Sequence, residues 1–213
     1  MKIPARVAGL VGGIVGVVAT GMAIGAAVRS HRRAAADDLY ADEPFGQLRP
    51  DRTSSVAAAD GVVLSVEEID PAGGRRPELT VVLVHGFAVS RLSWHFQRRM
   101  LAELAEPSVR QVLYDQRSHG RSERANARTS TIEQLASDLD EVLRAVVPEG
   151  PMVLVGHSMG GMTIMALAEL RPELFVRRVR GVALVGTSAG EVGKQGLPRP
   201  LLSRYNPLTR GVG

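Results

Sequence analysis

The sequence lacks several features that would place it in common functional classes. It has no cysteine among its 213 residues, which excludes disulfides and thiolate metal sites but leaves the compartment open. It also has no G-x-G-x-x-G and no G-x-x-x-x-G-K-[ST] pattern, so nothing indicates a nucleotide-binding loop. Five basic and no acidic residues fall in residues 1–33, and the remaining chain is close to neutral despite the net charge of +4. A general nucleic-acid surface is therefore not expected.

The N-terminal part contains a long uncharged segment, Val7–Val28. As a helix these 22 residues would span about 33 Å, enough for the core of a bilayer. We interpret residues 1–33 as a single-pass membrane anchor, followed by a linker over residues 34–52; a cleaved signal peptide ending near Ala34–Ala36 and a buried soluble helix are alternatives. Glycines spaced four apart, such as Gly9 and Gly13, would also let two such helices pack together. Basic residues flank both ends, so the sequence does not assign the side of the membrane, and the chain is expected to be membrane-associated or exported.

The pattern from Thr53 to Gly190 is that of an α/β domain. Asp60-Gly61 is a two-residue turn between two β-rich runs, which predicts a hairpin. After it, short apolar runs alternate with helical patterns, and this alternation favours a mostly parallel sheet with helices on both faces. The predicted strands are Thr53–Ala59, Val62–Ile69, Leu79–Val84, Val109–Tyr114, Met152–Val155 and a buried Val182–Val185, and the predicted helices are Ala88–Glu106, Ile132–Val147 and Met162–Leu170. Residues 191–213 form an irregular tail rich in glycine and proline.

The most informative stretch is the turn between the fifth strand and the helix after it. Gly156-His157-Ser158-Met159-Gly160 follows a buried apolar run and leads directly into helical sequence. A G-x-S-x-G turn in this setting strains the serine backbone and lifts its hydroxyl clear of its neighbours. The helix N-terminus beyond it offers unpaired N–H groups to a developing negative charge. We therefore predict that Ser158 is a nucleophile.

Three motifs, VVLVHGF, YDQRSHGRS and VLVGHSMGG, resemble the α/β-hydrolase family in their order and separation. Within that family they are similar to bacterial hydrolases that carry a hydrophobic N-terminal segment. The resemblance covers about residues 53–190. It implies that Ser158 is the catalytic nucleophile and that the backbone N–H groups of Phe87 and Met159 form the oxyanion hole. It also implies acyl transfer to water, with carboxylic esters as the leading small-molecule substrates and no cofactor. The charge distribution, independently of the resemblance, argues against a nucleic-acid partner.

The remaining histidines fit structural roles. By the resemblance, His85 shapes the oxyanion loop, His119 belongs to a D-x-R-G-H-G-x-S loop, and His157 lies inside the nucleophile turn. Ser118 stands where that loop pattern has glycine, so a positive φ would strain it. His95 lies on a predicted helix, where a surface or packing role is expected. No two histidines have metal-ligand spacing on a helix, and we predict no metal site.

The sequence departs from the family pattern after Ser158. In this fold an acid and then a histidine base follow the serine along the chain, yet no histidine follows Ser158 here. Glu191 could orient such a base. We expect a C-terminally truncated serine hydrolase that lacks the last two strands, with residues 191–213 beginning a lid; the alternative is a degenerate, non-catalytic module that binds a ligand without turnover. In the truncated case the strand Val182–Val185 would expose an apolar edge, and the chain would aggregate.

Overall fold

A computed structural model describes residues 39–189 of the chain. The predicted anchor, the predicted cleavage region and the tail with Glu191 lie outside the described residues, and the predicted domain boundaries stay predictions. Residues 39–42 form turns, and residues 39–44 belong to a different compact unit from the domain that begins at Phe45. Within residues 39–189, no helix combines the length and the apolar character needed to cross a membrane.

The described part of the domain contains six strands and four α-helices. The strands are β1 (Arg52–Ala57), β2 (Val63–Ile69), β3 (Leu79–Val84), β4 (Val109–Tyr114), β5 (Met152–His157) and β6 (Val179–Val185). The helices are α1 (His95–Ala102), α2 (Ile132–Val146), α3 (Met159–Leu170) and α4 (Pro172–Arg177). Short 3₁₀ turns at Ala72–Gly74, Arg91–Trp94 and Ala127–Thr129 lie in the connections.

The six strands form one sheet, which confirms the predicted α/β architecture. The strand order is β1-β2-β4-β3-β5-β6, with antiparallel pairing of β1 with β2 and of β2 with β4 and parallel pairing elsewhere. The hairpin turns at Asp60-Gly61 as predicted, and Gly61 has a φ of 87°, which glycine adopts without strain. Because β3, β4, β5 and β6 are parallel, the loops that follow them meet at one edge of the sheet.

The core lies on both faces of the sheet. Along β3, Val82 and Val84 pack into a larger cluster with α2 and α3, while Val81 and Leu83 face a smaller cluster that includes Trp94. Successive residues of a strand point to opposite faces, so a strand covered on both sides has the continuous apolar sequence seen here. Each fully buried Val or Leu stabilises the fold by about 1.5–3 kcal/mol relative to an exposed one.

The predicted helix Ala88–Glu106 begins later and ends earlier in the structure. Residues 88–90 continue the loop after β3, a 3₁₀ turn follows, and α1 begins only at His95. Ala88 has a φ of 60°, which a right-handed helix excludes. The side chain of Ser90 caps the 3₁₀ turn by accepting a hydrogen bond from the Leu92 N–H. A loop conformation imposed on Ala88 therefore delays the helix that the local sequence favours.

The last described strand, β6, lies at the edge of the sheet. It begins at Val179, three residues before the predicted start, and among the described strands it pairs only with β5. Its Val182, Leu184 and Val185 side chains are 43, 47 and 48 % exposed. The prediction of a buried strand is therefore wrong, whereas these side chains match the expected apolar edge.

Candidate active site

Ser158 connects β5 to α3 in a strained conformation. Its φ of 51° and ψ of −117° lie outside the regions that residues with a Cβ normally occupy. The neighbouring glycines make this bend sterically accessible. A Cβ at Gly156 would lie 2.6 Å from the Gly160 carbonyl oxygen, and a Cβ at Gly160 would overlap the carbonyl oxygen of Val84. Close backbone contacts within the turn and with β3 thus explain the G-x-S-x-G spacing.

Hydrogen bonds hold the Ser158 backbone from both sides. Its N–H donates to the Val185 carbonyl at 2.9 Å, and its own carbonyl accepts from the Gly161 N–H at 3.0 Å and from the Thr187 hydroxyl at 2.7 Å. Thr187 also packs against Gly161, where a Cβ would come within 2.7 Å of the threonine side chain. The end of β6 and the residues after it therefore hold the turn, and no local sequence pattern signals this role of Thr187.

Two backbone N–H groups beside Ser158, those of Phe87 and Met159, donate no hydrogen bond within residues 39–189. Met159 is the first residue of α3, so its N–H has no carbonyl partner inside the helix. Phe87 follows Gly86, where a Cβ would lie 3.1 Å from the Ser158 Cβ, so the loop after β3 packs directly on the turn. The structure brings the three residues chosen from the sequence to one edge of the sheet, and their catalytic roles stay predictions.

Gln116 connects the loops after β3 and β4 to α3. Its backbone N–H donates to His85 Nε2 at 2.9 Å, and its side-chain amide donates to the His85 carbonyl at 2.6 Å. Its side-chain oxygen accepts a hydrogen bond from the Thr163 hydroxyl at 3.0 Å. All three residues are buried. Sequence reasoning did not identify this role of Gln116. The one sequence feature that points to it is the position of Gln116 just after β4, at the edge of the sheet where the candidate site lies.

His85 is fully buried and has both ring nitrogens occupied. Its Nε2 accepts the Gln116 N–H, so its proton lies on Nδ1, which donates to the Gly86 carbonyl at 2.8 Å. Burial lowers the pKa of His85, and the Gly86 carbonyl and Asp115 partly oppose that effect. His85 therefore stays neutral and has no free nitrogen with which to accept a proton from Ser158.

Two other histidines pack against aromatic rings. His157, half-buried in the Ser158 turn, meets Trp94 edge-on with 6.5 Å between ring centroids. His95 is buried at the start of α1 and lies 4.8 Å from the Phe45 ring, centroid to centroid. These contacts agree with the structural role expected for His157 and with the packing alternative for His95.

A buried carboxylate, Asp115, anchors the loop after β4. It accepts hydrogen bonds from the Arg91 N–H at 2.8 Å, the Arg91 guanidinium at 2.5 Å and the Arg121 N–H at 2.8 Å. Gly120 has a φ of 51°, and a Cβ there would overlap the Asp115 carboxylate. Arg91 also pairs with Glu67 at 3.0 Å. Since an unpaired buried charge is costly, this network favours one conformation of the loop.

Arg117, in the same loop, is fully buried. Its guanidinium hydrogen-bonds Asp138 on α2 at 2.5 and 2.6 Å and Asp60 at 2.8 Å. The hydrogen bonds to Asp138, and then those to Asp60, raise the pKa of Arg117, and the hydrogen bond from Arg117 lowers the pKa of Asp60. The next residue, Ser118, has a φ of 64°, which confirms the strain expected for a serine at this glycine position.

A cavity of about 300 Å³ opens beside this loop rather than at the Ser158 turn. Its lining includes Ser90, Arg91, Asp115 and Arg121 together with residues 46–50. Ser158, Phe87 and Met159 are not part of that lining. The candidate site is therefore defined by the serine and the two N–H groups, and we do not assign this cavity to the substrate.

The sheet order and the serine turn agree with a comparison against known protein families. The sequence profile described as "Alpha/beta hydrolase family" matches residues 81–212, which is more than half of the chain. The chain belongs to the alpha/beta hydrolase family.

Relatives of this alpha/beta hydrolase include enzymes named for different reactions. Protein phosphatase methylesterase 1 of Rattus norvegicus is 30 % identical over 149 residues, which cover 66 % of this chain and 38 % of the relative. Epoxide hydrolase B of Mycobacterium tuberculosis is 34 % identical over 119 residues, which cover 55 % of this chain and 32 % of the relative. A solved structure of a putative aryl esterase from Burkholderia cenocepacia superposes with a TM-score of 0.53 at 29 % identity, covering 65 % of this chain and 48 % of that one. The chain thus spans well under half the length of these curated relatives.

Proposed function

We propose that this alpha/beta hydrolase cleaves carboxylic esters through an acyl-enzyme on Ser158. One observation carries the proposal: the strained Ser158 backbone lies beside two N–H groups, those of Phe87 and Met159, that donate no hydrogen bond within the described residues. Unpaired donors held in a fixed position are what a developing oxyanion needs, and removing one costs about 3 kcal/mol of transition-state stabilisation. A methylesterase and a putative aryl esterase among the relatives support the substrate class by analogy.

In the proposed reaction, Ser158 Oγ attacks the carbonyl carbon of the ester while a base takes its proton. The carbonyl oxygen becomes an oxyanion that the Phe87 and Met159 N–H groups bind. Collapse of this tetrahedral intermediate breaks the bond to the alcohol oxygen, which leaves with the proton, and Ser158 then carries the acyl group. Water attacks the acyl-enzyme by the same route and releases the carboxylic acid and the free serine.

Serine chemistry favours esters over epoxides, although an epoxide hydrolase is among the relatives. Attack of the Ser158 oxygen on an epoxide carbon would form an alkyl ether. Such an ether has no carbonyl carbon for water to attack, so the enzyme would be trapped after one turnover. Attack on an ester forms another ester, which water cleaves.

A non-catalytic module is the second candidate. One observation favours it: no histidine follows Ser158 in the 213 residues, where the chain order of this fold places the base. His85 does not replace that base, because both of its ring nitrogens are hydrogen-bonded. The two candidates differ in whether the Ser158 hydroxyl is activated, which can be measured directly.

Covalent labelling separates the two candidates. The full chain, its Ser158→Ala variant and a control, Ser130→Ala, are treated with a fluorophosphonate, and the adduct is located by mass spectrometry; Ser130 is exposed in the loop before α2. We expect labelling at Ser158 in the wild type and the control and none in Ser158→Ala. The wild type should also release a stoichiometric burst of p-nitrophenol from p-nitrophenyl acetate. Equal labelling of all three chains, or labelling of none, would exclude an activated Ser158 in this chain.

Membrane attachment through Val7–Val28 is a further part of the proposal, and the sequence alone supports it. We expect the full chain to remain in a carbonate-washed membrane fraction and a variant without residues 1–33 to be released. A shortened chain in the exported fraction would instead support a cleaved signal peptide.

A further inference from the structure

The loops after β3 and β4 exchange histidine hydrogen bonds. His85, in the first loop, accepts the Gln116 N–H of the second loop through Nε2 at 2.9 Å. His119, in the second loop, accepts the Ala88 N–H of the first loop through Nε2 at 3.4 Å. The two imidazole rings lie 5.3 Å apart, centroid to centroid. We call this reciprocal pair of hydrogen bonds the histidine clasp.

Both rings of the histidine clasp require the same neutral tautomer. His119 Nδ1 lies 2.9 Å from the Arg117 carbonyl oxygen, as His85 Nδ1 lies 2.8 Å from that of Gly86. A carbonyl oxygen only accepts and a backbone N–H only donates. Each ring therefore carries its proton on Nδ1, and its unprotonated Nε2 is the acceptor. A second proton on either ring would set two N–H groups against each other and break the clasp.

The His119 half of the clasp acts on the segment that carries a candidate oxyanion donor. Ala88 directly follows Phe87 and has a φ of 60°, a conformation that costs of order 1–3 kcal/mol for a residue with a side chain. The Phe87 and His119 rings also pack edge to face, with 5.8 Å between their centroids. Without the His119 acceptor the exposed Ala88 N–H would hydrogen-bond only to water, which does not fix its direction. The segment would then relax to a less strained backbone, and the adjoining Phe87 N–H would shift with it.

We propose that His119 is a positioning residue: by holding the Ala88 N–H it keeps the Phe87 N–H directed at the oxyanion. The inference rests on the proposed function, because the position of that N–H matters for catalysis only if Ser158 is acylated. His119 does not itself touch the reacting atoms. The charged groups that act on the His85 ring are Asp115, whose Oδ1 lies 3.9 Å from His85 Nε2, and its buried partner Arg91.

Two substitutions at position 119 separate positioning from packing. In His119→Gln the side-chain amide reaches the place of Nε2 and still offers an acceptor to the Ala88 N–H. In His119→Asn the shorter amide reaches only the place of Nδ1, so it can donate to the Arg117 carbonyl but leaves the Ala88 N–H to solvent. Both variants remove the imidazole ring, so a purely packing role would make them equally harmful.

Two quantities are measured on the full chain: the hydrogen-exchange rate of the Ala88 amide by NMR and the rate of Ser158 labelling by a fluorophosphonate. In His119→Asn we expect the Ala88 amide to exchange at least about tenfold faster than in the wild type. We expect Ser158 to be labelled at least about tenfold more slowly, since a displaced oxyanion donor loses part of its effect. His119→Gln should keep both rates within about threefold of the wild type. The Gln116 amide, which His85 holds, should keep its protection in both variants.

Each outcome tests a different statement. Identical Ala88 exchange in the wild type and both variants would overturn the histidine clasp. The expected exchange pattern with equal labelling rates would overturn the positioning role alone. An unlabelled wild type would overturn the proposed function, while Ala88 exchange would still decide the clasp. If His119→Asn does not fold, the imidazole ¹⁵N shifts of the wild type decide, because a proton on Nε2 of His119 would contradict the inferred hydrogen bond.

Discussion

Gly160 lies so close to β3 that a Cβ at this position would overlap the carbonyl oxygen of Val84. Val84 is the last residue of β3 and Gly160 is the second residue of α3, so this contact joins the helix after Ser158 to the strand before Phe87. The distance between the candidate nucleophile and the candidate oxyanion donor therefore depends on the absence of a side chain at position 160.

Gly160→Ala should destabilise the chain, although alanine is normally about 1 kcal/mol better than glycine inside a helix. The new Cβ would press on rigid backbone, and such overpacking costs about 1–3 kcal/mol. Thermal unfolding followed by the fluorescence of Trp94, the one tryptophan, measures the change. Gly181→Ala in β6 is the matched control, because its Cβ would meet only Val153 at 3.8 Å. A Gly160→Ala variant as stable as this control would contradict the close contact.

Asp138→Asn should destabilise the chain strongly, because it leaves the buried Arg117 guanidinium with Asp60 as its remaining carboxylate partner. Breaking one side of a buried ion pair costs about 3–5 kcal/mol, which should lower the midpoint of urea unfolding. The control Glu173→Gln breaks the exposed pair with Arg171, and we expect the midpoint to change little because solvent already screens that pair. If both substitutions shifted the midpoint equally, Arg117 would not anchor the loop.

Stability should decrease as the pH falls below about 6.5, in part because of His85. Burial lowers the pKa of His85 in the folded chain, whereas an unfolded histidine titrates near 6.5. At a pH between the lowered pKa of the folded chain and that of the unfolded chain, only the unfolded chain binds the proton. The contribution of His85 to stability is therefore fully present above about pH 6.5. Below it, the free energy of unfolding falls by up to about 1.4 kcal/mol per pH unit.

The variant His85→Gln isolates this titration, since its amide keeps an acceptor near Gln116 but does not bind protons. Its unfolding free energy should depend less steeply on pH than that of the wild type between about pH 6.5 and 5. Parallel curves for the two chains would show that the folded and unfolded states hold His85 in the same protonation state. The groups that face this imidazole are the Gly86 carbonyl, Asp115, His119 and Arg91.

Leu184→Lys should reduce aggregation of the chain. Leu184 and Val182 present apolar side chains on the edge strand β6, and a charge on an edge strand disfavours pairing with another chain. Static light scattering at matched concentrations measures the effect. Val176→Lys is the control, because Val176 is 83 % exposed but lies on α4, away from the strand edge. An equal reduction by both variants would point to net charge rather than to the β6 edge.

Local physics made much of the fold predictable. The apolar, β-branched runs at β3 and β4 have the predicted limits, because burial on both faces requires such a composition. The turn at Ser158 was equally predictable from the sequence, since the glycines that make room for it lie within two residues of the serine. The predicted helix from Ala88 was less accurate, because a distant hydrogen bond holds that residue in a loop conformation.

The sequence by itself determined the fold class, the strained serine turn and the strain at Ser118, because each depends on contacts between near neighbours or on the composition of one segment. Only the tertiary structure decided that His119 meets Ala88 and that Gln116 meets Thr163, and it decided between the buried strand and the exposed apolar edge that the sequence left open for Val182–Val185. The first two pairs are 31 and 47 residues apart and meet only once the parallel strands have brought the segments that follow them to one edge of the sheet. The exposure of β6 depends on whether another strand pairs with its outer side. Its apolar sequence is the same in either case, so the sequence of β6 does not reveal its exposure.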